Sequence, residues 1–88
     1  MINGVTRSGF AFCVDENFIN DMEVVDILAD NSIDDSFRAS HIIRKLLTAE
    51  QRTALYNHLR KDGRVPVDAV VEAVKDIFEA MGSQGKNS

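Results

Sequence analysis

The chain has a single cysteine, so no intrachain disulfide can form. Cohesion must come from packing, and a reducing, intracellular setting fits Cys13. Long hydrophobic runs are also missing. None approaches the roughly 18–20 apolar residues that a membrane span needs. Near the N-terminus Arg7 comes early, but Asp15, Glu16 and Asn17 interrupt any apolar stretch, so no signal peptide is expected. An excess of positive charge is absent too. The formal net charge is −4, and Lys and Arg are spread without a stripe that could track phosphates. Nucleic-acid binding is therefore not the expectation.

Catalytic spacing is equally scarce. His41 and His58 each stand alone on an amphipathic segment, with no second His or Cys at metal spacing. Cys13 lies in an apolar strand pattern without a neighbouring base to lower its pKa. Asp34-Asp35 reads as helix capping rather than as an acid–base pair. Asp62-Gly63-Arg64-Val65 has the look of the middle of a calcium loop. His58, Arg60 and Ala69 would then occupy oxygen-ligand positions, so too few ligands remain. Gly82-Ser83-Gln84-Gly85-Lys86 lacks the spacing of a phosphate loop. The expectation is a protein with no enzymatic activity, no cofactor and no metal.

What is present is helical periodicity. Val67, Val70, Val71, Val74, Ile77, Phe78 and Met81 fall at i, i+3, i+4, i+7 spacing and share one helix face. Before this last helix, residues 2–14 read as a β-hairpin, with Phe10, Phe12 and Val14 alternating and Ser8-Gly9 as the turn signal. A first helix is expected over about 19–30, capped by Asn20 or Asn17. A second is expected over about 35–47, capped by Ser36 or Asp34. The pattern Thr48-Ala49-Glu50-Gln51 predicts a capping box and a third helix over about 49–61. Asp62-Gly63 should end it, and Val65-Pro66 should start the fourth. The 88 residues suit one domain. The predicted fold class is α+β, an N-terminal β-hairpin followed by four helices, with residues 1–82 packed and 83–88 a flexible tail.

The first helix is the anomaly. Phe18, Met22, Val24, Val25, Ile27 and Leu28 form an apolar set wider than one stripe. Few elements exist to cover both flanks, which makes Val24 and Ile27 candidates for partner binding.

Four stretches carry a family resemblance: Ile2-Asn3-Gly4-Val5-Thr6-Arg7-Ser8-Gly9-Phe10, Leu55-Tyr56-Asn57-His58-Leu59-Arg60, Asp62-Gly63-Arg64-Val65-Pro66-Val67-Asp68 and the closing Gly85-Lys86-Asn87-Ser88. With them the chain resembles, over nearly its whole length, the small tail assembly chaperones of long-tailed phages and prophages of Gram-positive bacteria. The resemblance implies binding to the tape-measure protein and to tail-tube protein during tail morphogenesis. It implies action in the host cytoplasm and absence from the mature virion. Related systems make a longer product by ribosomal frameshifting, and Gly85-Lys86 is compatible with a slippery message. No binding residue follows from the resemblance, and self-association is left open by it. The alternative is a DNA-binding or regulatory module of a mobile element. There the second and third predicted helices, joined tightly at Thr48, would act as a helix-turn-helix. The basic residues from Arg38 to Arg64 would serve that role, but acidic residues between them and the net charge oppose it.

Overall fold

A computed structural model describes residues 1–85, with side chains described as far as Gly82. In chain order the described elements are β1 (Ile2–Val5), β2 (Ala11–Val14), α1 (Met22–Ala29), α2 (Asp35–Leu46), α3 (Ala49–Leu59) and α4 (Val67–Gly85). This is the expected α+β arrangement, a two-stranded antiparallel hairpin followed by four helices.

The hairpin pairs Ile2 with Val14 and Gly4 with Phe12, which puts these four residues on one face of the ribbon. Ile2, Phe12 and Val14 are buried there. Gly4 is required by packing, because a Cβ at this position would lie 2.6 Å from Phe12 Cζ. The turn places Gly9 at φ +94, where a side chain would be strained. Gly9 N–H donates to the Thr6 carbonyl, and Thr6 N–H donates to the Phe10 carbonyl, both at 2.9 Å. Thr6 is buried but satisfied, since its hydroxyl accepts from Phe10 N–H at 3.1 Å and pairs with the Ser8 hydroxyl at 2.8 Å.

Side chains from the hairpin and from α1, α2, α3 and α4 share one core, whose most enclosed members are Val14, Val24, Ile42, Ile43, Leu55 and Ile77. On α4 the residues Val70, Ala73, Val74, Ile77 and Met81 are buried, so its stripe is mostly core. Phe78 is only half-buried.

Boundaries differ in instructive places. Helix α1 starts at Met22 with Asp21 as its cap, accepting from Glu23 N–H, whereas Asn20 or Asn17 was expected. Residues 15–20 are instead taken up by turns, with Asn17 N–H held by the Asp15 carboxylate. The capping box at Thr48 and Gln51 is present with both hydrogen bonds. Helix α3 ends at Leu59, and Asp62-Gly63 forms a separate tight turn rather than its glycine stop. Asp62 (φ 53) and Gly63 (φ 80) are both left-handed, and Lys61 and Arg64 exchange backbone hydrogen bonds. That is the geometry of a type I′ turn, which suits an Asp-Gly pair. Helix α4 continues to Gly85. The expected tail at 83–88 therefore begins within the helix by its backbone, and its remainder lies outside the described residues.

Candidate interaction surface

Among the described residues reactive groups do not converge. His58 Nε2–H donates to the Ser8 carbonyl at 2.9 Å, and the ring lies against Phe10, with ring centroids 5.8 Å apart. It fastens α3 to the hairpin turn. His41 is exposed on α2, and Cys13 is half-buried on β2. Among the described residues no three His, Cys, Asp or Glu side chains gather at metal-binding distance. No described helix is long and apolar enough to cross a membrane.

The distinctive surface features are apolar. Val24 is fully buried, and Ile27 is half-buried against the core. Val24 is therefore a core residue and not a free partner contact, which corrects the sequence-based assignment. Val24 and Ile27 are three residues apart, so one side of α1 carries both, and α2 packs there. The uncovered residues are Ile19 just before the helix, then Met22, Val25 and Leu28, of which Met22 is 68% exposed. The width of the apolar set signalled a surplus, but its free side depends on where α2 lies.

Leu28 also forms one wall of a groove. Ala39 and Ile42 of α2 and Val71, Val74 and Phe78 of α4 complete its apolar lining, around about 190 Å³. Arg38 stands at its edge. Its guanidinium donates to Asp35 at 2.8 Å and to the Asp30 carbonyl at 2.6 Å, while its Nε is buried without a partner. A buried donor left unpaired costs about 1–3 kcal/mol, so an acceptor arriving here would be favoured. Asp30 is held below its ordinary value of 3.8, first by the Ser32 hydroxyl and backbone N–H and then by the Arg38 charge.

A second groove opens on the other side of α2. Phe37, Ser40, Tyr56, Val65, Val67 and Val70 line about 350 Å³ there. Phe37 is 61% exposed and Val67 58% exposed.

Charge divides this surface. From Asp15 to Asp35 the chain carries eight carboxylates and no Lys or Arg. From Arg38 to Arg64 it carries seven Lys or Arg against Glu50 and Asp62. The acidic stretch contains α1 and ends at Asp34 and Asp35, just before groove residues Ser36 and Phe37, and no charged side chain lines the second groove. Among the described residues Arg44, Arg52, Arg60, Lys61 and Arg64 make no ion pair.

Comparison with protein-family models, with curated proteins and with solved structures finds no match.

Proposed function

We propose that this protein is an assembly chaperone without enzymatic activity, which covers an apolar helical segment of a partner before that partner is built into a larger structure. The observation that carries this is the groove between α1, α2 and α4, open to solvent and lined by Leu28, Ala39, Ile42, Val71, Val74 and Phe78. An amphipathic helix laid into such a groove exchanges apolar contact with water for apolar contact with protein. The orphaned Arg38 Nε–H at its edge would donate to a carbonyl or carboxylate of the same segment. The family resemblance supplies the partner class: a tape-measure protein, with tail-tube protein recruited around it. On that reading the chaperone works in the cytoplasm of the host and is absent from the mature virion.

The test is co-expression with a tape-measure protein. The intact chain should keep that protein soluble and co-purify with it. Leu28→Asp should abolish co-purification while changing the melting midpoint by only a few degrees, because Leu28 is 41% exposed in the free chain. Retention of the partner by Leu28→Asp would remove this groove from consideration. Failure of the intact chain to bind any tail protein would overturn the chaperone reading.

A further inference from the structure

The groove between α1, α2 and α4 is small for the segment it would cover. A cavity of roughly 150 Å³ holds one benzene, so its volume of about 190 Å³ admits one large apolar side chain. A helix lying lengthwise presents a row of anchors at i, i+3, i+4 and i+7, and there is room for one of them. Beside that space stand two cations from different helices. Arg38 of α2 and Lys75 of α4 line the groove against a single carboxylate, Asp35. The Arg38 guanidinium already holds Asp35 at 2.8 Å and the Asp30 carbonyl at 2.6 Å, which fixes its position. Its other N–H donors include the enclosed Nε–H, which has no acceptor. Lys75 meets Glu72 at 3.7 Å, but both side chains are more than half exposed, and a surface pair of this kind holds loosely. The further carboxylates of α4, Asp76 and Glu79, are engaged by Arg7. Asp26 and Asp34 are exposed, and neither lines the groove.

Room for one apolar side chain, with cations next to it, matches the last residue of a polypeptide, which carries a side chain and a free carboxylate on one Cα. We propose that this groove captures the C-terminus of its client. The final side chain, of leucine or phenylalanine size, enters between Leu28, Val74 and Phe78, and Arg38 and Lys75 take the α-carboxylate. A client that is helical to its end suits the site further. The last four carbonyls of a helix have no partner within it, and the negative end of its dipole adds to the carboxylate. An acidic side chain inside a segment sits on a different Cα from the apolar anchor, and the chain must continue past a space that holds one side chain. The proposal rests on the client-binding reading and narrows it, from a covered helical face to a gripped helical end.

The test uses the full chain and alanine-rich helical peptides of about 15 residues, labelled at the N-terminus and read by fluorescence anisotropy. Peptides ending in Leu or Phe with a free carboxylate should bind. The same peptides closed as C-terminal amides should bind at least about tenfold more weakly, the ratio expected when a charge-assisted hydrogen bond is lost. A free-acid peptide ending in Gly should not bind, because nothing fills the apolar space. Lys75→Gln, at an exposed position, should narrow the acid-to-amide ratio several-fold, which a general loss of folding would not do. Leu28→Asp should abolish binding of the free acid. Circular dichroism confirms that each variant is folded, and Lys75→Gln alone decides the charge arm should Leu28→Asp unfold. Equal binding of acid and amide would overturn the inference. So would an acid-to-amide ratio untouched by Lys75→Gln, tight binding of an amide-ended peptide with an internal Glu, or no binding of any peptide. Extending the C-terminus of a tape-measure protein with a polar Gly-Ser tail separates this inference from the reading beneath it. Loss of co-purification on extension supports capture of the end. Retention overturns that capture and leaves client binding standing, whereas failure of the unextended protein to co-purify counts against the chaperone reading itself.

Discussion

The hairpin and α1 are held in contrasting ways. The hairpin is joined to two helices by polar contacts. Arg7 N–H donates to Asp76 of α4 at 2.9 Å, and its guanidinium lies 3.2 Å from the other Asp76 oxygen and 3.3 Å from Glu79. Ser8 meets His58 of α3, and the Cys13 carbonyl accepts from Gln51 of α3 at 3.3 Å. Helix α1 is apolar at every position but Glu23 and Asp26, yet its ion pair to the rest of the fold is Glu23–Lys45, a 3.9 Å contact between exposed groups. Its sole fully buried residue is Val24. Apolar content thus measures what an element could bury. Coverage by neighbours decides what it does bury, and an element with more apolar surface than neighbours has some left for a partner.

The sharpest way to break this comparison lies within α1 itself. Val24→Asp places a carboxylate in the core without a partner and should cost more than about 4 kcal/mol, enough to unfold a domain of ordinary stability. Val25→Asp, one residue on, should change stability by about 0.5 kcal/mol or less, because that side chain is 40% exposed. Urea denaturation of both variants reads the difference. Equal losses would mean that α1 has no free face.

A smaller effect is expected in the hairpin. Gly4→Ala forces a methyl against the buried Phe12 ring and should cost about 1–3 kcal/mol. A variant as stable as the parent would show that the ring shifts freely, and that the hairpin is held by its latches rather than by this pairing.

The smallest effect concerns the junction of α1 with α2. Asp30 is exposed, and its folded pKa lies below the ordinary 3.8. Its contribution to stability is therefore full above that value and is lost as pH falls through the folded pKa. Asp30→Asn should be slightly less stable than the parent at neutral pH, and the gap should close in acid, below about pH 4. A gap that stays constant in acid would remove the Asp30 carboxylate from the stabilisation of this junction.

Much of this architecture was legible in residue order. The alternation in β2, the Ser8-Gly9 turn and the box formed by Thr48 and Gln51 are local features. They depend on residues within a few positions of one another, so backbone chemistry alone specifies them. The start of α1 was less legible, because Asn17, Asn20 and Asp21 are all competent caps and the turns at 15–20 chose among them. The Asp62-Gly63 pair was recognised as a break, but its type I′ geometry needed Lys61 and Arg64 to face each other.

The candidate surface was legible only in part. An apolar surplus on α1 follows from the sequence, since eight residues with only two charged side chains cannot hide their apolar groups on one face. The local elements, the order of one hairpin and four helices and the separation of acidic from basic stretches are likewise properties of residue order. Tertiary structure decided which side of that surplus is free. Packing of α2 against α1 buried Val24, left Met22 largely in solvent and left Val25 and Leu28 partly exposed. It also decided that Leu28 meets Val71 and Phe78, residues more than forty positions away, to form a groove. Helical periodicity tells which side chains share a face, but only contacts distant in sequence determine whether that face meets protein or water.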